Sequence, residues 1–203
     1  MKKVALTLMF AVVAMLAFAT GGEGEAKTLS VNAKSSSMNW KGSKVTGSHA
    51  GTINVADGSI SMEGNAITSA KVNIDMTSMV CTDKDMNDEY KGKLIGHLSS
   101  ADFFNTGEYQ TASFDLTSFK AMAGKDGYNY QIKGNLTIKG ITQEISFPAK
   151  VTMDGASVRV ESKVTIDRTR WDIKYGSGKF FDSLGDNLIY DEMEINFVLV
   201  ANA

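Results

Sequence analysis

The sequence predicts an all-β protein: an up-and-down antiparallel barrel of eight or nine long strands, interrupted once by a short helix or loop. Three observations carry this expectation. Apolar and polar residues alternate with period two through most of the chain from about residue 28. The alternating runs, eight or nine of them, are about ten residues long, where five or six is usual, which suits a barrel better than a sandwich of short strands. One stretch alone, Thr82 to Leu98, shows helical spacing instead.

Taken in order, Leu29, Val31 and Ala33 alternate with Thr28, Ser30 and Asn32. Val45 to Val55 reads as a polar, glycine-rich strand that continues through a turn at Asp57-Gly58. From Ala66 to Met76, one face carries Ala66, Thr68, Ala70, Val72, Ile74 and Met76. In the charged stretch, Met86, Tyr90, Leu94 and Leu98 recur every fourth residue, although Gly92 and Gly96 weaken a helix by about 1 kcal/mol each.

Ala112, Phe114 and Leu116 share the next face. The segment YNYQIKGNLTIKG puts Tyr128, Tyr130, Ile132, Gly134, Leu136 and Ile138 on one side. Ile145, Phe147, Ala149, Val151 and Met153 follow, and Asp154-Gly155 signals a hairpin. Val158, Val160, Val164 and Ile166 return, and Met193, Ile195, Phe197 and Leu199 mark the last strand. Pro148, the single proline, donates no ladder hydrogen bond and belongs at a rim, bulge or edge.

Residues 1–19 have the form of a secretory leader: Lys2 and Lys3, an apolar run from Val4 to Phe18, and Ala17-Phe18-Ala19 as a small-x-small site. The expectation is cleavage after Ala19, a flexible glycine- and glutamate-rich segment over 20–27, one domain over 28–203, and a periplasmic or secreted location. The processed chain holds 19 basic against 23 acidic residues. That balance gives no footing for a nucleic-acid partner. Cys81 is the only cysteine, so no internal disulfide forms, and it reads as a small semi-buried side chain.

Chemistry-bearing patterns are sparse. His49 and His97 are the only histidines, and neither has a metal-ligating neighbour at short spacing. Neither a phosphate-cradling GxxxxGK loop nor a GxSxG elbow occurs. A Cys81–His97 nucleophilic pair needs the fold to bring the two together. Asp83, Asp85, Asp88 and Glu89 read as a solvated surface. Two segments stand out. HLSSADFFN (97–105) places Phe103 beside Phe104, where a strand would send one ring to water. IDRTRWDIKYG (166–176) gathers Asp167, Arg168, Arg170 and Asp172 around Trp171, with Arg168 placed to reach a buried carboxylate such as Asp102, or a ligand head group. Ala66, Ala70, Ala112, Gly134, Ala149 and Ala156 fall among the inward positions; alternation alone fits an apolar channel or a solid core equally.

At these residues the chain resembles the YceI-like family of secreted bacterial, lipocalin-like, polyisoprenoid-binding proteins. Trp40 with Gly42 and GSHAG (47–51) resemble its early Trp-x-Gly and His-x-Gly pattern. HLSSADFFN resembles its His-Leu-x-Ser-x-Asp-Phe-Phe-Asp segment, YQTASF (109–114) its Tyr-Pro-x-x-x-Phe, GNLTIKGIT (134–142) its Gly-x-Leu-Thr hairpin, and DRTRWDIKYG its Asp-Arg-x-x-Trp/Phe-Gly-Ile ending. Gln110, Asn105 and Asp172 depart from that pattern, in turns. The resemblance implies an extended, lipocalin-like, eight-stranded antiparallel barrel with a short helical crossover, whose interior binds a polyprenyl chain or isoprenoid quinone. The leading expectation is a non-catalytic carrier with no other cofactor and no metal, compatible with transient membrane contact and with a dimer.

Under this reading the ligand-facing residues are Trp40, His49, Ile74, Met76, Leu98, Phe103, Phe104, Phe114, Leu136 and Trp171. Asp102 and Arg168 are the polar residues of the barrel mouth. Phe103 and Phe104 would then divide between pocket wall and crossover. The competing readings are an enzyme acting on such a lipid or quinone through His49, His97, Asp102 or Arg168, a solid-core stress protein without ligand, and an outer-membrane barrel, against which the helical crossover argues.

Overall fold

The computed structural model describes residues 26–124 and 126–203. The leader over 1–19 and residues 20–25 lie outside them. Nine strands form one antiparallel sheet: β1 (Ala26–Val31), β2 (Ser37–Lys44), β3 (Gly47–Glu63), β4 (Ala66–Cys81), β5 (Thr111–Ala121), β6 (Tyr130–Ile138), β7 (Ile141–Met153), β8 (Ser157–Asp167) and β9 (Ile189–Asn202). Strands β2 to β9 close into an eight-stranded barrel, because β2 pairs with β9 and every consecutive pair from β2 to β9 is hydrogen-bonded. β1 continues the β2 position of this circuit at the far end, where it pairs with the last residues of β3 and, through Ser30 and Val31, with β9. It begins at Ala26, so Ala26 and Lys27 pair with Glu63 and Met62.

Closure is what the long strands are for. A barrel strand is tilted and must span the full wall, and closing leaves no free edge for aggregation. The core is predominantly apolar: Leu29, Ala149, Val158 and Ala201 are fully buried, Arg168 is the buried charge among the described residues, and the alternation of β6, β8 and β9 maps onto wall and interior as read from the sequence.

Strands β3 and β4 depart from that reading. Asp57-Gly58 is not a turn; it lies inside β3, where a bulge between Val55 and Asp57 absorbs the extra residue. Gly58 is needed there because a Cβ would stand 2.5 Å from the carbonyl oxygen of Lys71. The turn comes six residues later, at Gly64-Asn65, with Gly64 at φ 58°. A second bulge, at Ser61/Met62, shifts the phase of β4. Ile67 therefore points inward while Ala66 and Thr68 are exposed; the expected single face holds only from Ala70 to Met76. A third, at Thr52/Asn54, shifts it again, so Met79 and Cys81 are the next buried residues. Val45 falls in the β2–β3 turn rather than in a strand.

Pro148 sits in β7 just short of the β7–β8 ladder, which runs from Lys150 with Glu161 to Met153 with Val158. Its carbonyl oxygen instead accepts from the Ser162 hydroxyl at 2.7 Å. The crossover holds one helix, α1 (Asp88–Ser99). Asn87 caps it, its side chain accepting from the Tyr90 N–H at 2.9 Å, and Asp88 and Glu89 occupy its first turn. No residue of α1 is fully buried, but Leu94, Ile95 and Leu98 pack against the barrel core.

Candidate functional site: an apolar cavity with a polar mouth

The barrel encloses a cavity of about 450 Å³. Its deep part is lined by side chains such as Ile60, Ile67, Ile132, Phe147, Val160 and Leu199. Every polar side chain of its lining belongs to one end, where the β2–β3 turn, the crossover and the β8–β9 connection meet: Lys41, Ser43, Lys44, His49, His97, Arg168, Tyr175, Asn187 and Tyr190. Tyr175 and Tyr190 are both cavity-lining and exposed, so the cavity meets solvent here.

Of the residues singled out from sequence, Trp40, His49, Ile74, Met76, Leu98, Phe103, Phe104, Phe114 and Leu136 line this cavity, and so does Arg168. Trp171 does not. It is fully buried behind the wall, and its indole N–H donates to the Leu136 carbonyl oxygen at 3.0 Å. A short 3-10 turn, Arg168–Trp171, follows β8 and carries Trp171 as its last residue.

The adjacent phenylalanines are explained by backbone geometry. After α1 the chain is not extended but folded into tight turns: the Phe103 N–H donates to the Ser100 carbonyl oxygen at 3.1 Å, and the Phe104 N–H to that of Leu98 at 3.0 Å. Asn105 ends the turn at φ 47°, a conformation asparagine tolerates better than most residues. Neighbouring side chains on a turn do not alternate by 180°, so both rings reach the interior, and each is only 6% exposed. The expected division into one wall ring and one crossover ring does not hold; both line the cavity. Phe103 also meets His97 edge-on, with ring centroids 4.9 Å apart, and His97 meets Tyr175 at 4.6 Å.

Asp102 does not bind Arg168. Its side chain faces solvent and pairs with His97 Nε2 at 3.6 Å. Arg168, 1% exposed, donates through Nη1 to Ile173 O (2.8 Å), Nη2 to Ile189 O (3.1 Å) and Nε to Tyr190 O (3.2 Å). Its carboxylate neighbour is Asp191, 3.6 Å away. Burial pushes the guanidinium pKa down, opposed by Asp191 and Asp167. Arginine remains charged in such a site, since its guanidinium is too strong a base to lose its proton inside a protein. Arg168 thus ties β9 to the 3-10 turn and forms one face of the cavity near its mouth.

At the rim, His49 Nδ1 lies 2.7 Å from Asp83 Oδ2, and Asp83 Oδ1 accepts from the Ala50 N–H at 3.0 Å. Burial opposes ionisation of Asp83, but these hydrogen bonds outweigh it and hold its carboxyl below the usual carboxylate range. Cys81 packs against Met86, with the sulfurs 4.0 Å apart, and burial pushes its thiol up. The fold therefore partners Cys81 with Asp83 and Met86, not with His97. A raised thiol pKa is the opposite of what a nucleophilic cysteine needs. Among the described residues, no three of His, Cys, Asp and Glu gather as a metal site.

Sequence reading missed deep lining residues such as Ile53, Ile60, Phe147 and Phe197, and the mouth residues Tyr175 and Tyr190. The alternating pattern placed Phe147 and Phe197 inward; Tyr175 and Tyr190, at the β8–β9 connection, carried no periodic signal.

The comparisons agree with the geometry. The family model of the YceI-like domain matches residues 29–201. Protein YceI of Escherichia coli O17:K52:H18 is 35% identical over 105 residues, which are 52% of this chain; the chain spans about half the length of the curated relatives it matches. Among solved structures, BcnA of Burkholderia cenocepacia superposes with a TM-score of 0.65 at 23% identity, covering 85% of this chain and 99% of that one. A polyisoprenoid-binding domain from Saccharophagus degradans, implicated in plant cell wall breakdown, superposes with a TM-score of 0.60 at 19% identity, covering 86% and 98%. At these identities the superpositions establish the barrel fold.

Proposed function

The chain belongs to the YceI-like family, and from that premise we propose that it is a non-catalytic carrier, holding a long isoprenoid lipid in the barrel. The ligand would be a polyprenyl chain or the tail of an isoprenoid quinone. The carrying observation is the distribution of polarity in the cavity: apolar along its depth, polar only at its open end. A long hydrocarbon with one polar head fits that distribution. A ligand with polar groups along its length would lose hydrogen bonds to water and gain none, at roughly 1–3 kcal/mol per group. The Saccharophagus neighbour, described as polyisoprenoid-binding, supports the same ligand class. The leader-like pattern over 1–19 supports action in the periplasm or outside the cell.

The experiment is mass spectrometry of an organic extract from protein purified, without detergent, from its own cells. A stoichiometric polyprenyl lipid or isoprenoid quinone is the expected result. An empty extract together with no uptake of added quinone would overturn the proposal.

One observation favours a second reading. The His49–Asp83 pair at the rim has the base-and-orienter geometry of a general base. An enzyme acting on the lipid or quinone head would use it, and substitution of His49 would then abolish turnover while leaving binding intact.

A further inference from the structure

Among the described residues, the exposed large apolar side chains are not scattered. Val45, Tyr90, Tyr175, Tyr190 and the adjacent pair Phe180–Phe181 all lie at the barrel end that holds the cavity mouth. The seventh such residue among those described, Val80, lies next to the last residue of β4 at the same end. The connections of the opposite end, around Gly64, 122–124, 126–129 and Gly155, show none among the described residues. Scattered single apolar residues need no explanation, whereas their concentration at the one end that holds the opening does.

From this asymmetry we propose that the mouth end is a docking surface for a lipid bilayer, with Phe180 and Phe181 entering the interface. The proposal rests on the carrier reading: a water-insoluble chain can leave the cavity cheaply only into another apolar phase.

The rings are held out by the fold. Phe180 and Phe181 are 48% and 50% exposed, yet their N–H groups both donate to the Ser177 carbonyl oxygen, at 3.1 and 3.0 Å. Ser177 itself is fully buried, and the Ile189 N–H fixes the Gly176 carbonyl oxygen at 2.8 Å. The Val45 N–H donates to Leu188 O at 3.1 Å, which ties the β2–β3 turn to the same segment. The two rings thus stand on an anchored turn beside the mouth without lining the cavity.

The charges nearby select the kind of membrane. Lys174 pairs with Asp172 at 2.5 Å, and Lys179 with Asp167 and Asp191 at 2.6 and 3.3 Å. Asp182 and Asp186 add negative charge to the segment. With Lys174 and Lys179 already paired, the turn that carries the two rings has no excess positive charge to offer anionic headgroups. Docking is therefore apolar and interfacial, insensitive to lipid charge and only weakly dependent on salt.

The test uses protein purified in the form its cells produce, compared with a Phe180→Ser/Phe181→Ser variant that shares its N terminus. Flotation with phosphatidylcholine vesicles measures partitioning; thermal unfolding and uptake of a quinone offered in dilute detergent report on fold and cavity. The parent is expected to float with the vesicles, at low and high salt alike. The variant is expected to partition at least about tenfold less, since each ring removed forfeits apolar burial, with unfolding and uptake unchanged. Equal flotation of parent and variant, or no flotation of the parent, would overturn the docking surface. So would a concentration-dependent dimer that the variant disperses, which would assign the patch to a second copy of the chain. Failure of quinone uptake by the parent strikes the carrier reading instead.

Discussion

The guanidinium of Arg168 stands 5.8 Å from the ring centroid of Phe103. Two of the segments that stood out in the sequence meet in this contact, the turn after α1 and the turn after β8. Arg168 holds three backbone carbonyls of the mouth and faces the ring that lines it. Its replacement by alanine leaves those acceptors without a donor and Asp191 with Lys179 as its remaining cation. The expected loss is about 3 kcal/mol in chemical denaturation. Arg168→Lys should recover less than half, because an ammonium cannot present the same planar fork to three carbonyls.

Gly134 marks a close approach inside the wall. A Cβ there would lie 2.2 Å from the Phe114 ring and 2.6 Å from the Asp115 carbonyl oxygen. Gly134→Ala should destabilise the barrel by about 1–3 kcal/mol, the usual cost of overpacking. Phe114→Leu in the same chain should recover part of that loss, as the ring clash goes and the backbone clash stays. Additive losses in the double-mutant cycle would show that the ring is not the obstacle.

Ala70 lines the cavity and is only partly buried. Ala70→Phe places a ring in the lumen without displacing a strand. Quinone uptake followed by fluorescence quenching should fall at least about tenfold, with the unfolding midpoint little changed. Undiminished uptake would mean that the lipid does not occupy this cavity.

His49 and His97 both line the cavity. A carrier needs neither as a proton-transfer group. The variant carrying His49→Gln and His97→Gln should bind quinone within a few-fold of the parent; loss of binding in a folded variant counts against a passive carrier.

Asp83 connects the β2–β3 hairpin to the crossover, and its carboxyl is held below the ordinary carboxylate value. A group whose folded pKa is lower than its unfolded one stabilises at pH above the unfolded value. That contribution is lost as pH falls through the folded value. Asp83→Asn should therefore cost about 1–2 kcal/mol at pH 7, and the difference from the parent should shrink as pH falls below about 4. A pH-independent difference would assign the effect to packing.

Much of the barrel was legible because closure repeats one rule, alternation, over every strand. β6, β8 and β9 follow it without interruption, so wall and lumen residues could be told apart from spacing alone. The helical crossover was legible for the same reason, as the one place where the period changed. Periodicity failed where a residue is inserted into a ladder. The bulges of β3 and β4 reverse the inward face at Ile67 and again at Met79, and they turn Asp57-Gly58 from a hairpin signal into strand interior. Whether a bulge forms depends on the partner strand, which local sequence does not specify.

The sequence by itself determined the all-β class, the crossover and most of the apolar lining, since each follows from which residues avoid water at a fixed local period. Only the tertiary structure decided the partners of the polar residues. Asp102 stays in solvent with His97, and Arg168 reaches Asp191 and three carbonyls instead; Trp171 lies behind the wall rather than in the lumen. Such pairings join residues distant in the chain, and they are set by where closure brings the strand ends. The hollow itself was decided there too. Small and large side chains alternate in a filled barrel and in an open one, and only their placement across the lumen determines whether the rings meet or leave space between them.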